Sequence, residues 1–296
     1  MPPDSALITA RSERDAMDWS LVLVSQGIEA VIERDSEGER WLLVVNAPDY
    51  EHAVAAIERY RRENTSPRWQ RTLPVVGMLF DARVVGFLAF LILLFVLEAT
   101  GRSDLRGAGV MDNRAVHAGQ WWRLFTAVTL HADVAHLAAN ASTGLLMLGL
   151  AMGAYGYGVG LLTSYLAGAG GFLAGLIFLP ETHRSLGASG LVLGALGLLA
   201  AQWVTFLRHG LTRRGLAARG ILSGCLLLML LGLSPQENVD VLAHVAGFGS
   251  GLVLGTGLAF CPPQLIHAPW TNRLALVLTM ALVLVPWSLA LRHPPL

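Results

Sequence analysis

Residues 187–206 read GASGLVLGALGLLAAQWVTF, a run of twenty residues without a charged side chain. An apolar run of about this length matches the thickness of the hydrocarbon core of a lipid bilayer. Because the bilayer core offers no water to exposed backbone groups, such a run predicts a membrane-spanning helix. Six further apolar runs predict spans of the same kind, at about 84–100, 132–152, 157–179, 219–233, 241–260 and 272–291.

The sequence therefore predicts an all-α polytopic membrane protein over residues 73–296, preceded by a small soluble α+β domain over residues 1–72. The composition agrees, since 54% of the residues are hydrophobic and only 14% are charged, against about 25% in soluble domains. The formal net charge is zero, so nothing indicates a nucleic acid partner. The first 40 residues are polar and mixed in charge, which is not typical of a cleavable signal peptide. Cys225 and Cys261 lie in or beside apolar runs and predict no disulfide.

The N-terminal segment has the capping and turn signals of an α+β domain. Ser12 and Asp15 favour the start of a helix, and Gly27 favours its end. Nucleophiles, bases and metal ligands do not cluster in this segment, so we expect a regulatory or interaction module. The other predicted elements are strands at 28–33 and 40–46, a turn at 36–38 and a second helix at 49–62.

Arginine-rich joints orient the predicted spans. One joint precedes the first span and another follows the fourth, and such joints favour the cytoplasmic side of a membrane. Four spans separate the two joints, which places both on the same side. We therefore predict a cytoplasmic N-terminus, an external C-terminus and an external loop at 101–130, although that loop carries four arginines. A bacterial inner membrane is the expected location.

Three groups of polar residues lie at the predicted spans, where an unpaired polar group is costly. The first is Gly187-Ala188-Ser189-Gly190, which opens the fourth span. A serine at a helix start lies near the positive end of the helix dipole, which suits a nucleophile whose attack creates an oxyanion. Small residues and serine are also common in helix capping and packing. This motif alone leaves both interpretations open.

The second group is a histidine followed by glycines on one helical face, and a matching strip of glycines occurs in the fourth span. The two strips are Gly247, Gly251 and Gly255 after His244, and Gly190, Gly194 and Gly197 after Ser189. Such strips allow two helices to approach closely. Packing explains the glycines but not a histidine at the outer end of the same face. Close contact of the strips would bring Ser189 and His244 within hydrogen-bond reach.

The third group is His136 and Asn140, an i, i+4 pair that projects from one face at the start of the second span. Both side chains can donate hydrogen bonds, as an oxyanion hole requires, and both lie at a depth similar to that of Ser189. A mutually satisfied polar pair is one alternative. A zinc site is another, with candidate ligands His117, His131, Asp133 and His136. The shared depth of the three groups favours the oxyanion hole, and no metal or other cofactor is expected.

In order and spacing, these residues resemble the rhomboid proteases, closely over residues 121–257. The resemblance rests on Trp122-Arg123, Phe125-Thr126, His131, His136-x-x-x-Asn140, Gly187-Ala188-Ser189-Gly190 and Ala243-His244-x-x-Gly247-x-x-x-Gly251. It implies a rhomboid-like helical bundle with a six-helix core plus one further C-terminal helix. It also implies that the partners are the lipid bilayer and single-span or multi-span membrane protein substrates, cleaved at or near the membrane surface.

The resemblance also implies roles for individual residues. Ser189 and His244 would form a catalytic dyad without a required aspartate. His136, Asn140 and the backbone amide of Ser189 would form the oxyanion hole. Residues implied to serve the structure near the site are Trp122, Arg123, His131, Gly187, Gly190, Gly247 and Gly251.

Two features qualify this expectation. Many rhomboids carry an aromatic residue one turn after the catalytic serine, where its ring stacks on the histidine, and here Leu193 takes that place. The fifth span offers only about 15 apolar residues between Arg219 and Ser234, about 22 Å of helix against a hydrocarbon layer of about 30 Å. A short helix would move easily, and the resemblance suggests that it gates the lateral entry of substrates.

Two other functional classes remain open from the sequence. A non-catalytic rhomboid-like protein would bind transmembrane helices, and a channel or transporter would use the buried histidines as a proton path. The presence of both Ser189 and His244 favours an enzyme. Labelling by a serine-directed fluorophosphonate probe separates an enzyme from both alternatives.

Overall fold

A computed structural model describes residues 4–35, 40–63, 80–101, 104–208, 210, 214–232 and 240–293. The chain divides into two compact units, Met1–Thr72 and Leu73–Leu296. The turn that the sequence predicts at 36–38 lies outside the described residues.

The first unit is a three-stranded antiparallel sheet with two helices, so the predicted α+β class is confirmed. Its elements are β1 (Ser5–Ala10), α1 (Glu13–Ser25), β2 (Ala30–Arg34), β3 (Trp41–Asn46), a 3₁₀ turn (Ala47–Asp49) and α2 (Tyr50–Glu63). The strand order is β1-β3-β2. The side chain of Ser12 accepts a hydrogen bond from the Asp15 amide at 3.1 Å and caps α1. Gly27 follows the helix with φ +76°, a conformation that favours glycine.

The sequence analysis missed β1. This strand pairs with β3 in the register Leu7 to Val44. Its residues have no strong alternation of apolar and polar side chains, and pairing with β3 stabilises it as one of the two outer strands of the sheet.

The second unit is helical, and its elements include each of the seven predicted spans. In chain order the helices are α3 (Val84–Ala99), α4 (Leu105–Gly109), α5 (Asn113–His117), α6 (Arg123–Thr126), α7 (Val134–Tyr155), α8 (Tyr157–Phe178), α9 (Ser189–Arg208), α10 (Arg214–Gly232), α11 (Val241–Leu258), α12 (Pro263–Ile266) and α13 (Pro269–Ala290). Among the described residues, six helices are long and apolar enough to cross a membrane, and α3 is shorter at 16 residues. The predicted all-α membrane fold is confirmed.

The prediction of an unusually short fifth span is wrong. Helix α10 begins at Arg214 rather than at Arg219 and has 19 residues, which corresponds to about 28 Å. Arg214 and Arg219 are both part of the helix. Such arginines are tolerated near the end of a span because their long side chains can reach the polar headgroup layer. Shortness therefore gives no reason for α10 to move.

The segment between α3 and α7 is a folded structure rather than a plain loop. It contains α4, α5, α6 and a 3₁₀ turn at Ala127–Thr129. A two-residue antiparallel ladder joins β4 (Met111–Asp112) to β5 (Arg184–Ser185), just before Ser189. The ladder and its neighbours connect this segment to the start of α9.

The buried side chain of Asn113 strengthens that connection. Its Nδ2 donates to the carbonyl oxygens of Gly175, Leu179 and Pro180 at 3.0 to 3.2 Å. These carbonyls lie in the last turn of α8 and in the two residues that follow it, where carbonyl groups are least often satisfied within the helix. Asn113 thus joins the segment between α3 and α7 (residues 104–133, called the outer segment below) to the end of α8.

Candidate active site

A cavity of about 1070 Å³ opens where α7, α9 and α11 begin. Its lining includes His136, Asn140, Ser189 and His244. The three polar groups found separately in the sequence therefore meet at one place in the structure.

Ser189 is the first residue of α9, and its position depends on the backbone conformation of Gly187, two residues earlier. Gly187 has φ +132°, which residues with a Cβ rarely adopt. Its amide donates to the Ala127 carbonyl at 3.0 Å. A Cβ at Gly187 would lie 2.7 Å from Cε1 and 2.8 Å from Nε2 of His136. Glycine is therefore required both by the backbone and by the closeness of the His136 ring.

The glycine strips of α9 and α11 pack backbone against backbone, as their spacing predicts. A Cβ at Gly247 would lie 2.5 Å from the carbonyl oxygen of Gly190. A Cβ at Gly251 would collide with the carbonyl of Gly194. Such contacts fix the relative depth of the two helices and hold Ser189 and His244 at the same cavity.

Asp240 fixes the start of the helix that carries His244. Its Oδ1 accepts a hydrogen bond from the Ala243 amide at 2.9 Å and caps α11. The His244 amide donates to the Asp240 carbonyl at 3.1 Å. The side chain of His244 thus leaves the helix in its first turn, facing the cavity.

His136 lies in the first turn of α7 with a defined ring orientation. Asp133 caps this helix, because its Oδ1 accepts a hydrogen bond from the His136 amide at 2.8 Å. The Nδ1 of His136 accepts a hydrogen bond from the Ala132 amide at 3.4 Å. When Nδ1 is an acceptor, the proton of the neutral ring is on Nε2, the nitrogen that faces Gly187. His136 therefore presents a donor to the space in front of Ser189.

Asn140 presents a second donor from the next turn of α7. Its side chain is buried, and its Nδ2 has no hydrogen-bond partner in the described part of the chain. A buried donor without a partner is unfavourable by about 1–3 kcal/mol. An acceptor on a bound ligand would relieve that cost.

His131 packs behind His136. Its ring is buried, and its centroid lies 5.3 Å from that of His136 in an edge-on arrangement. Burial lowers the pKa of His131 to about 4, so the ring is neutral near pH 7. Arg106 donates to the carbonyls of His131 and Ala132 at 3.0 and 2.9 Å and pairs with Glu98. This contact holds the backbone that precedes α7.

Arg123 organises the outer segment from within. It is 3% exposed, and burial lowers its pKa. Its guanidinium donates to Gln120 Oε1 at 2.6 Å and to the carbonyls of Gly107 and Val110. The neighbouring Trp122 is also buried. Arg123 and Trp122 do not line the cavity, but Gly107 and Val110 do, so these contacts support the cavity wall from behind.

The sequence analysis missed a polar pair at the edge of the cavity. The Nε2 of His183 lies 3.1 Å from Oδ2 of Asp240, and both residues line the cavity. The pair joins the residue that precedes β5 to the cap of the His244 helix. Asp240 lies four residues before His244, so a helix cap could have been recognised. No local pattern marks His183, because its partner is 57 residues away.

The sequence analysis also singled out Leu193 and a set of candidate zinc ligands. Leu193 is buried and lines the cavity. The Asp133 carboxylate already caps α7. Within the described ranges, no three His, Cys, Asp or Glu side chains come close enough together to hold a metal ion. The zinc alternative therefore receives no support from the described residues.

Comparison with known proteins shows that the region containing this site is similar to one protein family. The model of the rhomboid domain matches residues 118–260. The rhomboid protease GluP of Bacillus subtilis is 30% identical over 226 residues, which cover 71% of this chain and 41% of that protein. RHOMBOID-like protein 4 of Arabidopsis thaliana is 33% identical over 177 residues, covering 57% of this chain and 41% of that protein. The chain thus spans about two fifths of the length of these relatives.

Proposed function

The chain belongs to the rhomboid family, and from that premise we propose that it is an intramembrane serine endopeptidase with Ser189 as nucleophile and His244 as general base. One observation carries the proposal. A helix-start serine, a histidine, the Nε2–H donor of His136 and the Asn140 amide, which has no partner among the described residues, all line a single cavity. A protein that only binds helices has no need for this combination.

The proposed reaction begins when Oγ of Ser189 attacks the scissile carbonyl carbon and its proton passes to His244. The carbonyl oxygen becomes an oxyanion, which accepts hydrogen bonds from His136 Nε2, Asn140 Nδ2 and the Ser189 amide. Donors aimed at this charge stabilise the transition state more than the ground state. Ser189 is at the N-terminus of α9, so the positive end of that helix dipole also lies near the oxyanion and stabilises it.

The second half of the reaction restores the enzyme. The C–N bond breaks as His244 gives its proton to the leaving amine, which leaves an acyl group on Ser189. Water then attacks the acyl carbon as His244 accepts a proton from it. The acyl C–Oγ bond breaks, His244 returns the proton to Ser189 Oγ, and the carboxylic acid product leaves. No aspartate and no cofactor is needed for either half.

The substrates are proposed to be single-span or multi-span membrane proteins. The chain is an integral membrane protein, and the cavity lies at the ends of three spans. A peptide bond at the edge of a transmembrane segment could reach that depth. We propose that residues 73–296 form the protease domain and that residues 1–72 form a cytoplasmic regulatory or interaction domain.

The test compares the wild-type protein with Ser189→Ala in reconstituted membranes. Each preparation is exposed to a fluorophosphonate probe and to a panel of single-span proteins. The proposal expects labelling and cleavage by the wild type and neither by the variant. A folded wild-type protein that binds the panel but is not labelled would instead be a helix-binding rhomboid relative.

Orientation is proposed as N-terminus cytoplasmic and C-terminus external, in a bacterial inner membrane. Single cysteines at the exposed positions Ser25 and Ala118 report the two sides, in a background in which Cys225 and Cys261 are replaced by alanine. An impermeant thiol reagent added to intact cells should label only the Ala118→Cys variant. Labelling of Ser25→Cys under the same conditions would reverse the proposed orientation.

A further inference from the structure

Helix α13, the span beyond the six-helix core, is fixed to that core by a buried asparagine. Asn272 is 2% exposed. Its Oδ1 accepts hydrogen bonds from the amides of Gly158 and Val159 at 3.0 and 3.2 Å. Its Nδ2 donates to the Ile266 carbonyl at 2.9 Å. These bonds satisfy amides at the start of α8 that have no intrahelical partner, so α13 has a set depth.

The other end of α13 carries a buried tryptophan directed at the outer segment. The Nε1–H of Trp287 donates to Oγ1 of Thr129 at 3.0 Å, and both residues are buried. The indole also packs on Gly109, where a Cβ would lie 2.7 Å from the ring. Trp287 is not among the residues that line the cavity, so it can affect the site only through its neighbours.

Thr129 leads from α13 to the site in two further contacts. Its hydroxyl donates to the Thr126 carbonyl at 2.8 Å, within the buried 3₁₀ turn at Ala127–Thr129. The Ala127 carbonyl of the same turn accepts the Gly187 amide at 3.0 Å. Gly187 precedes Ser189 by two residues and faces the His136 ring. The turn therefore contacts the chain immediately before Ser189, at Gly187.

We propose that Trp287 is a positioning residue for the reaction, which acts through the Thr129 turn to hold Gly187 and thus the Ser189 amide and hydroxyl. The inference rests on the proposed protease function. It gives the extra span a role in the chemistry that membrane anchoring would not. A catalytic group must be held within about 0.5 Å of its productive place, and a 1 Å displacement can cost about 10² in rate. Losing one supporting bond is a smaller change.

The experiment removes either partner of the hydrogen bond and measures kcat, KM and melting temperature in liposomes. Trp287→Phe removes the N–H donor, and Thr129→Val removes the acceptor with little change of volume. Each should lower kcat for a single-span substrate, and the rate of fluorophosphonate labelling, by about tenfold, with KM changed less than twofold. Because both changes break the same contact, the double variant should be no more than about twofold slower than either single variant.

Two controls separate positioning from a general loss of structure. Thr129→Ser keeps the hydroxyl and should retain kcat within about twofold of the wild type. Trp270→Phe changes a tryptophan that is 59% exposed on the same helix and should leave kcat unchanged. A folded Trp287→Phe protein with wild-type kcat would overturn the inference, as would losses that follow melting temperature alone. Failure of the proposed function is a different result, since the wild type itself would then show no labelling that depends on Ser189.

Discussion

The α9–α11 interface and helix α10 differ sharply in how they are held. In the most apolar 18-residue stretch of α9, 61% of the residues are buried, against 17% in the corresponding stretch of α10. The glycines of α9 and α11 bring backbone against backbone, whereas α10 meets α9 through Gly220 on Trp203 and Gly224 on Ala200. Much of the remaining surface of α10 is exposed apolar side chain, as at Leu226, Met229 and Leu230.

This difference indicates two mechanical roles within one bundle. Close-packed helices resist displacement, because any shift breaks many contacts at once. A helix with few buried contacts opens at a smaller cost in free energy. The rigid pair carries Ser189 and His244, and the loosely held α10 contributes Leu231 to the cavity lining. We therefore expect chemistry to depend on the first region and substrate entry on the second.

The largest expected effect is the loss of the dyad on the rigid side. Ser189→Ala and His244→Ala should each lower kcat by more than about 10³-fold, and the double variant should be little worse, because the two groups act as a unit. Cleavage of a single-span substrate in liposomes measures this. Activity retained by a folded Ser189→Ala protein would show that the residues held by the α9–α11 interface do not carry out the reaction.

Asn140→Ala should have the next largest effect. Losing one donor to an oxyanion typically lowers kcat by about 10² to 10³, and this variant also removes a buried donor that lacks a partner in the described residues. Its melting temperature should therefore not fall. Asn140→Asp is the matched variant and should be at least as slow, because a carboxylate repels the oxyanion. A loss of activity that merely follows unfolding would argue against the donor role.

Forcing the rigid interface apart should have a moderate effect. The Cβ of Gly251→Ala collides with the Gly194 carbonyl, and such overpacking destabilises by about 1–3 kcal/mol. We expect a lower melting temperature together with slower cleavage. Gly249→Ala is on the same helix, and the added Cβ would have no heavy atom within 4 Å among the described residues beyond its chain neighbours and its own helix backbone. Equal tolerance of the two substitutions would show that close contact of the strips is not required.

The smallest expected effect is on the loose side. Leu231→Ala removes apolar contact where α10 borders the cavity and should raise the ratio of substrate cleavage to fluorophosphonate labelling by about twofold to fivefold, since lid opening often limits turnover. Leu230→Ala changes a neighbouring side chain that is 78% exposed and should leave the ratio unchanged. A ratio that is flat or lower in Leu231→Ala, with unchanged stability, would contradict entry past α10.

Much of the fold was readable because its causes are local. Long apolar runs predicted the spans, and Ser12, Asp15 and Gly27 predicted the limits of α1. The start of α10 was placed five residues late, because the arginines at its beginning resemble a joint rather than a helix. The strand β1 was missed because its stability comes from pairing with β3 rather than from its own side chains.

The sequence by itself determined the membrane class, the seven apolar helices and the glycine strips, since hydrophobic length and helical periodicity are properties of neighbouring residues. Only the tertiary structure decided which polar groups meet. His183 contacts Asp240, which is 57 residues away in the sequence, and Trp287 donates to Thr129, which is 158 residues away. A single hydrogen bond between distant segments leaves no periodic pattern along the chain. Its partners are selected by how the helices pack, and packing depends on the whole set of contacts at once.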